Sequence, residues 1–398
     1  MNVLVLNCGS SSVKFQLIEM TDEQIRARGV VERIGSKEAV INYSAVGHDK
    51  IKHTREVQNH DVAIGLVLST LLDSEIGVIK DKSEIAGIGH RVVHGGEQFA
   101  HPVLIDDEVI KGVQQCNRFA PLHNPHNLEG IRVCKQQLAG IPQVGVFDTA
   151  FHHTLPREAY MYALPMDLYR DHKIRRYGFH GTSHGYVAQK AAEYVDLPIE
   201  ELKIITCHLG NGASITAVDG GDSVETSMGF TPLEGLVMGT RCGDIDPALV
   251  PYIATLKNLS MNDVDGLLNK KSGMLALTED TNDMRDIEEK AIAGSKIHSQ
   301  ALDIYIHRLK KYIGAYTAVL GGLDILVFTA GIGEHSSYCR RRICADMEYL
   351  GIKIDPQKND RNAFDIGNGR AKVLVVPTNE ELAIARETYK ILQSLTDR

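Results

Sequence analysis

The chain has 398 residues, a formal net charge of −8 and 43% hydrophobic residues, which suits two or three domains with sizeable cores. The mildly acidic balance and the short basic clusters argue against a nucleic-acid-binding protein or a membrane-surface protein. No apolar run reaches the length of a membrane span. The seven cysteines form no CxxC pair and no basic segment precedes the first predicted strand, so we expect a cytoplasmic protein.

The first predicted element is a hairpin with a tip of small polar residues. Residues 3–18 read VLVLNCGSSSVKFQLI, so two apolar strands flank the tip, and Lys14 lies in the second strand. Such a tip allows backbone N–H groups to approach an anion, although a plain hairpin turn is the alternative. Residues 20–80 carry fewer signals and predict a strand over 39–43 and a helix over 62–72.

Two further strands of the first half end at charged residues. Strand 85–90 runs into Arg91 and strand 142–147 runs into Asp148. Ligands of α/β folds bind beyond the carboxyl ends of strands, so both side chains are candidates for a site. A surface arginine and a turn-initiating aspartate are the alternatives when each residue is taken singly.

Histidines occur in two predicted loops. His123 and His126 lie in APLHNPHN, where two histidines suggest a metal site, but no partner stands at ligand spacing. We therefore interpret them as loop structure. His180 lies in YGFHGTSH, residues 177–184, before a helix predicted over 186–195. A loop histidine near two glycines has little reason to belong to a core, so His180 is a candidate for stabilising negative charge.

The clearest candidate for phosphate binding is a turn in mid-chain. Residues 203–218 read KIITCHLGNGASITAV, which predicts a strand, a turn over 208–212 and a second strand. Its glycines open the backbone to an anion, and Asn211 and Ser214 add side-chain donors. The turn is not a Walker A loop, because GxxxxGK[ST] does not occur in this chain.

The rest of the second half alternates polar loops with helices. Loop 238–247, MGTRCGDIDP, holds Arg241 and two carboxylates, for which an internal salt-bridged turn is the alternative. A polar stretch over 279–286 precedes a helix, and a long amphipathic helix is predicted over 299–320. Residues 324–335, DILVFTAGIGEH, again place a glycine-rich turn after a buried strand, and Glu380 precedes a last helix over 382–395.

Three glycine-rich turns after buried strands favour phosphate binding and suggest an internal duplication. We expect two similar α/β domains that face each other across a cleft. The N-terminal domain is predicted over residues 1–150, joined by the C-terminal helix at about 383–398. The C-terminal, nucleotide-binding domain is predicted over residues 151–382.

The candidate residues suit phosphoryl transfer, which needs phosphate cradles, Mg²⁺ ligands and positive charge. Asn7, Asp148 and Glu380 offer the oxygen ligands that Mg²⁺ prefers. Two arginines, Arg91 and Arg241, exceed what a neutral acceptor requires, whereas guanidinium groups match a carboxylate or a phosphate. We therefore predict an anionic acceptor.

The chain closely resembles the acetate kinases, which are members of the superfamily of acetate and sugar kinases, heat-shock ATPases and actin. The resemblance runs from end to end, in order, outside residues 20–80 and 335–372. The segments that carry it are NCGSSSVK (7–14), GHRVVHGG (89–96), APLHNP (120–125), VFDTAFH (146–152), YGFHGTSH (177–184), TCHLGNG (206–212), GTRCGDIDP (239–247), GIGE (331–334) and PTNEEL (377–382).

The resemblance implies an α/β fold of two duplicated ribonuclease H-like, actin-like ATPase domains with βββαβαβα cores and an active-site cleft between them. It implies reversible formation of acetyl phosphate and ADP from acetate and ATP, with Mg²⁺ or Mn²⁺ as cofactor. It also implies a cytoplasmic homodimer without nucleic-acid or membrane partners.

The motifs also imply roles for single residues. Asn7 and Glu380 would bind the metal, and Asp148, His180 and Arg241 would be catalytic. Arg91 would bind the acetate carboxylate, and the apolar pocket for its methyl group would be formed by Val93, Leu122, Phe179 and Pro232. The ATP site would be lined by Lys14, His208, Leu209, Gly210, Asn211, Gly212, Asp283, Met284, Arg285, Gly331, Ile332, Gly333, Glu334 and His335. His335 and Cys242 depart from the common Asn and Ser of the family.

Asp148 occupies the catalytic acid/base position of the family, but acetate is already ionised at neutral pH. No proton need be removed before attack, so we expect Asp148 to act through Mg²⁺ or by orienting Arg91 or Arg241. The expected mechanism is direct in-line attack of an acetate oxygen on the γ-phosphorus, with His180 and Arg241 neutralising the equatorial oxygens.

Three alternatives remain open. A propionate or other short-chain acyl kinase differs only by pocket depth, because one methylene is worth about 1–3 kcal/mol. A sugar or polyol kinase would lack the pair Arg91 and Arg241. A nucleotide switch of the actin or chaperone type would turn over ATP without a small carboxylic acid.

Overall fold

The structure is a computed structural model that describes residues 1–396, and the chain divides into two compact units. The first unit contains Met1–Ala150 and the chain from Asn379 onward, and the second contains Phe151–Thr378. The last helix begins at Glu380, ahead of the predicted residue 383, and the second unit ends ahead of the predicted residue 382.

The first unit is built on a mixed sheet. Its strands are β1 (Asn2–Cys8), β2 (Ser12–Glu19), β3 (Gln24–Glu32), β4 (Ser36–Ala45), β5 (Ile51–Val57), β6 (Ile85–Val92), β7 (Val103–Leu104) and β8 (Gln143–Phe147). Its first helices are α1 (His60–Leu71), α2 (Asp107–Gln115) and α3 (Asn124–Gln137), with 3₁₀ turns at Lys82–Glu84 and Cys116–Arg118. The sheet order is β5-β4-β3-β2-β1-β6-β8-β7, in which β1, β6 and β8 are parallel.

The second unit contains a smaller sheet. Its strands are β9 (Lys203–Leu209), β10 (Ala213–Asp219), β11 (Asp222–Thr226), β12 (Ile325–Thr329) and β13 (Lys372–Val375). Its helices are α4 (Arg157–Tyr160), α5 (Met166–His172), α6 (Gly181–Val195), α7 (Leu249–Lys257), α8 (Met261–Lys270), α9 (Gly273–Thr278), α10 (Met284–Ile292), α11 (Lys296–Leu320), α12 (Ala330–His335), α13 (Ser337–Cys344) and α14 (Pro356–Asp360). Further 3₁₀ turns are Ala150–Thr154, Ile199–Glu201 and Glu348–Leu350, and α15 (Glu380–Thr396) belongs to the first unit.

The two sheets share one strand order. The order β11-β10-β9-β12-β13 of the second unit corresponds to β3-β2-β1-β6-β8 of the first. In each sheet three consecutive strands are antiparallel neighbours, namely β1, β2 and β3 in the first and β9, β10 and β11 in the second. The first of the three then pairs in parallel with a later strand, β1 with β6 and β9 with β12. This repeat confirms that the fold is of the duplicated α/β class.

The central strand β1 is apolar on both faces, which explains its position inside the sheet. Leu4 and Leu6 pack into the cluster that includes α1, whereas Val3 and Val5 pack against α15. Gly89 of β6 allows α15 to approach closely, because a Cβ atom there would lie 2.5 Å from Thr388 Oγ1. Helices therefore cover both faces of the parallel part of this sheet.

The structure confirms two of the three predicted turns and corrects the third. Hairpins connect β1 to β2 and β9 to β10. The stretch Gly331–Gly333 is not a turn but lies in helix α12, which follows β12 directly. A left-handed backbone at Ala330, with φ of 63°, reverses the chain there and starts the helix. Across residues 1–396, the helices are too short or too polar to cross a bilayer.

Candidate active site

Arg91 and Asp148 form a partly buried ion pair at one edge of the first sheet. Arg91 lies near the end of β6, and Asp148 follows the parallel neighbour β8. Arg91 Nε and Nη2 donate to the two Asp148 oxygens at 2.9 and 2.7 Å, a bidentate geometry. The Asp148 amide donates to Val92 O at 2.9 Å, which fixes the carboxylate beside the strand end.

The charges around this pair favour the ionised guanidinium. Burial acts to lower the pKa of Arg91, but the carboxylates of Asp148 and Glu380 raise it above its ordinary value. Burial raises the pKa of Asp148, which is only 2% exposed, and the charge of Arg91 opposes that change. Both Asp148 oxygens accept bonds from a group that keeps its charge, so the structure gives Asp148 the geometry to orient Arg91.

Asn7 and Glu380 fit the requirements of a hard cation. Asn7 lies in β1 and Glu380 begins α15, and both belong to the first unit. Within residues 1–396 their side chains make no hydrogen bond, so their oxygens are available, and oxygen ligands are those that Mg²⁺ prefers. The Glu380 carboxylate also acts on the pKa of Arg91, so it lies near the ion pair.

Three other candidates of the first unit lie on strands and loops around this edge. Lys14 is the β2 partner of Asn7 in the hairpin and lines a groove of about 400 Å³ with Arg28. Val93 follows β6, and its amide donates to Asn127 Oδ1 at 3.1 Å. Leu122, in the loop before α3, is 54% exposed.

In the second unit, a chain of hydrogen bonds runs from β9 to His180. His184 Nδ1 lies 2.7 Å from Thr206 Oγ1, and His184 Nε2 lies 2.7 Å from Ser214 Oγ. The same Ser214 oxygen lies 2.8 Å from His180 Nδ1. His180 stacks on His208, whose ring centroid is 4.2 Å away.

This chain restricts the protonation of its histidines. Burial lowers the pKa of His184 well below its ordinary value, so His184 is neutral at pH 7. If Thr206 donates to His184 Nδ1, then His184 Nε2 donates to Ser214, and the Ser214 hydroxyl donates to His180 Nδ1. His180 Nε2 then carries its hydrogen, which is the donor that a phosphoryl oxygen requires.

Arg241 approaches the glycine turn between β9 and β10. A Cβ atom at Gly212 would lie 2.8 Å from Arg241 Nη2 and 3.6 Å from His180 Cε1, so glycine permits both contacts. Arg241 Nη1 donates to Pro232 O at 2.6 Å. Burial lowers the pKa of Arg241, and its guanidinium makes no ion pair with any residue of the described range 1–396. The carboxylate of Asp244 in the same loop instead accepts a hydrogen bond from the Tyr312 hydroxyl.

A cavity of about 650 Å³ opens beside this turn and suits a nucleotide. Its lining includes the predicted residues Gly210, Asn211, Asp283, Met284, Arg285, Gly331, Ile332 and His335. Gly239, which was not predicted, also lines it, and a Cβ atom there would lie 1.9 Å from Asn211 Oδ1. Tyr305 lines it too, and its buried hydroxyl has no partner within residues 1–396.

The other predicted ATP residues of this unit do not line this cavity. Glu334 Oε1 accepts from the amides of Ala330 and Thr378 at 3.0 and 3.1 Å, so this side chain fixes the strand-helix junction. The remaining ones belong to β9, its turn or the buried side of α12; they are His208, Leu209, Gly212 and Gly333.

Sequence reasoning missed Arg340, a fully buried cation that holds α12. Its Nη1 donates to the carbonyls of Gly333 and Glu334 at 2.7 and 3.0 Å. Its Nε donates to Asn359 Oδ1 at 2.9 Å. The sequence did not reveal its burial, because Arg340 is the first of three consecutive arginines, and such a run is typical of a solvent-exposed surface.

His152 supports the predicted acetate pocket residue Phe179, which is 2% exposed. The carbonyl of Phe179 can only accept, so His152 Nε2 donates to it, at 2.9 Å. His152 Nδ1 therefore accepts from the Ser223 hydroxyl at 2.8 Å. Burial lowers the pKa of His152 to about 4, which keeps the ring neutral at pH 7.

Comparison with known proteins identifies the family. The model of the acetokinase family matches residues 2–386. The chain belongs to the acetokinase family. It is 55% identical over 396 residues to an acetate kinase of Alkaliphilus metalliredigens (strain QYMF), with 98% of this chain and 100% of the relative covered.

Solved structures of acetokinase relatives share the fold. An acetate kinase from Porphyromonas gingivalis matches with a TM-score of 0.94 and 44% identity, covering 98% of this chain and 99% of that one. A propionate kinase from Francisella tularensis subsp. tularensis SCHU S4 matches with a TM-score of 0.93 and 42% identity over the same shares. These findings confirm the predicted acetate kinase function, an ATP-dependent phosphotransferase reaction, and the predicted fold class.

The His152 geometry predicts a pH-dependent stability for this acetokinase. The folded-state pKa of about 4 lies below the ordinary value, so the unfolded chain binds more protons between about pH 6.5 and 4. The free energy of unfolding should therefore fall as pH falls through that window, by about 2 kcal/mol from pH 7 to 5 for this one group. Urea unfolding of wild type and of His152→Gln measures it, with the exposed His48→Gln as control. An equal pH dependence in all three proteins would contradict the assignment.

Proposed function

We propose that the chain catalyses the reversible Mg²⁺-dependent transfer of the γ-phosphoryl group of ATP to acetate, giving acetyl phosphate and ADP. The observation that carries this assignment of roles is the guanidinium of Arg241, which is partly buried beside a glycine turn and makes no ion pair within residues 1–396. A buried charge without a partner is unfavourable unless an anion joins it. The transferring phosphoryl group is the anion that this reaction supplies.

Arg91 is proposed to bind the acetate carboxylate. Its Nε and Nη2 are engaged by Asp148, whereas Nη1 makes no hydrogen bond within residues 1–396. Because Asp148 fixes the plane of the guanidinium, the edge that carries Nη1 is oriented to bind another carboxylate. We propose that the methyl group contacts Val93, Leu122, Phe179 and Pro232.

Asp148 is proposed to be a positioning residue rather than a proton acceptor. Acetate loses no proton in the reaction, and both Asp148 oxygens already accept hydrogen bonds from Arg91. Removing Asp148 would free the guanidinium to rotate and would change the net charge near Glu380. We therefore expect that acetate would bind weakly and in a poor orientation for attack.

His180 and Arg241 are proposed to act on the transferring group. An acetate oxygen attacks the γ-phosphorus in line, the bond from phosphorus to the β,γ-bridging oxygen breaks, and ADP takes the electron pair. Nε2–H of His180 would donate a hydrogen bond to the equatorial oxygens, and the guanidinium of Arg241 would offset their negative charge. The adenosine part is proposed to occupy the 650 Å³ cavity, where the Tyr305 hydroxyl offers a hydrogen bond.

The metal is proposed to bind at Asn7 and Glu380, where the available oxygens fit Mg²⁺ or Mn²⁺. When bound, the ion would offset the negative charge of the ATP phosphates. The family resemblance further supports a homodimer and a cytoplasmic location, and we propose that the two compact units are its two domains.

A propionate kinase is the second candidate, because a propionate kinase structure matches this chain as well as an acetate kinase structure does. The two acids differ by one methylene, so both should react at different rates. Pocket depth then decides which of them is the better substrate.

The proposal predicts acyl phosphate formation from MgATP with a small carboxylic acid. Trapping with hydroxylamine should give strong product with acetate, less with propionate, and none with butyrate or glycerol. Arg241→Ala should lower kcat by about 10²–10³-fold, because it removes a positioned hydrogen-bond donor to the negative charge that develops on the transferring phosphoryl group. Arg342→Ala, which removes an arginine from a surface pair with Asp303, is the matched control and should keep its activity. Propionate ahead of acetate would favour the second candidate, and equal rates for both arginine variants would contradict the role of Arg241.

The hydrogen-bond chain predicts a kinetic effect of Ser214. Ser214→Ala removes the group that fixes the proton on His180, so kcat should fall by about tenfold or more while the KM for acetate changes little. Thr216→Val, two positions along β10, removes a hydrogen bond of 2.9 Å to Thr226 and serves as the control. Both variants should lose stability, but only Ser214→Ala should lose rate. Equal kcat values for the two would contradict the role assigned to Ser214.

A further inference from the structure

Two histidines and a glutamate of the first unit meet outside the proposed catalytic residues. His60 begins α1, and His126 and Glu129 lie one turn apart on α3. Their ligand atoms all lie within 4.8 Å of one another. His60 Nδ1 is 3.3 Å, and His126 Nδ1 is 3.9 Å, from the same Glu129 oxygen. The interpretation of His126 as loop structure is wrong, because His126 lies in helix α3.

The hydrogen bonds of His60 decide which of its nitrogens faces Glu129 as an acceptor. His60 Nε2 lies 2.7 Å from the carbonyl oxygen of Gly9, which can only accept, so Nε2 carries a hydrogen. In the neutral ring, Nδ1 then presents a lone pair to the carboxylate. His126 Nδ1 is also buried and has no hydrogen-bond partner within residues 1–396. Acceptor atoms that converge in this way offer a binding site for a cation.

We propose that His60 Nδ1, His126 Nδ1 and the Glu129 carboxylate form a binding site for a divalent transition metal such as Zn²⁺. Two imidazoles and one carboxylate are a ligand set that zinc uses, with a fourth position left for water. Ligand atoms about 2.1 Å from a tetrahedral ion lie about 3.4 Å apart. The 3.3 Å separation matches that value, and the 3.9 Å separation closes by a rotation of the half-exposed His126 side chain.

The surroundings of His60 are those of a metal ligand. A ligating histidine usually donates its other ring N–H to a carbonyl or carboxylate, which fixes the tautomer, and the His60 bond to Gly9 is of this kind. His60 is only 4% exposed, whereas His126 and Glu129 are partly open to solvent, which gives the ion a path of entry. The site is distinct from Asn7 and Glu380, whose oxygens suit a harder cation.

An ion at this site would connect α1, α3 and the turn after β1. Gly9 belongs to that turn, and Asn127, next to His126, donates to Cys8 O at 2.8 Å. The turn begins after Cys8, the residue that follows Asn7. Metal occupancy would therefore stabilise the hairpin tip that carries one proposed ligand of the catalytic Mg²⁺.

Titration of the untagged, chelator-treated full chain with Co²⁺, in excess Mg²⁺, tests the proposal. Mg²⁺ occupies oxygen sites, so Co²⁺ reports a nitrogen-containing site through its visible absorption. We expect one Co²⁺ per chain, displaced by Zn²⁺, without a thiolate-to-cobalt charge-transfer band. His126→Ala and Glu129→Gln should each weaken binding by about 100-fold or more, since even outer-shell changes cost 10–100-fold.

Controls separate this site from adventitious binding. His101→Ala removes an exposed histidine elsewhere in the first unit and should leave Co²⁺ affinity unchanged. Zn²⁺ should raise the thermal midpoint of wild type and of His101→Ala, but not that of His126→Ala. Three results would each overturn the proposal. They are a wild-type chain that binds no stoichiometric Co²⁺, a His126→Ala variant that binds Co²⁺ as tightly as wild type, and a charge-transfer band from a cysteine thiolate.

Discussion

The parallel pairing of β1 with β6 in the first sheet, and of β9 with β12 in the second, determines where the candidate site residues meet. Parallel strands present their carboxyl ends at the same sheet edge, so residues remote in sequence meet there. In the first unit this pairing continues through β8 and brings Arg91 to Asp148 across 57 positions. In the second it aligns the end of β9 with the end of β12, so that the glycine turn and α12 line one cavity.

Burial decides how the charged residues at these edges behave. Asp148 is nearly inaccessible, and its stable form there is a carboxylate joined to Arg91, because a lone buried charge would be costly. Arg241 is placed differently, because its guanidinium donates to the carbonyl of Pro232 and, in the described part of the chain, pairs with no carboxylate, so its charge is uncompensated. Asp148 therefore fixes the position of Arg91, whereas the charge of Arg241 is available to a substrate anion.

Apolar alternation and turn chemistry were enough to predict the two hairpins, the strands that end at Arg91 and Asp148, and the long helix α11. The glycine-rich stretch after β12 was predicted wrongly because glycines serve both turns and tight strand-helix junctions, and Ala330 supplies the left-handed residue. Ser214 was noted only as a donor in the turn, and His184 and Arg340 were missed, since their roles rest on contacts that no local pattern encodes. The same is true of His60, whose partners lie on another helix.

A double-mutant cycle tests whether Asp148 acts by holding Arg91. Arg91→Ala, Asp148→Ala and the double variant are compared in kcat/KM for acetate, with circular dichroism to verify folding. We expect strong non-additivity, with the double variant no slower than Arg91→Ala alone, because Asp148 has no function once the guanidinium is gone. Additive losses would mean that Asp148 contributes independently, as an acid/base or a metal ligand, and would contradict its role in positioning Arg91.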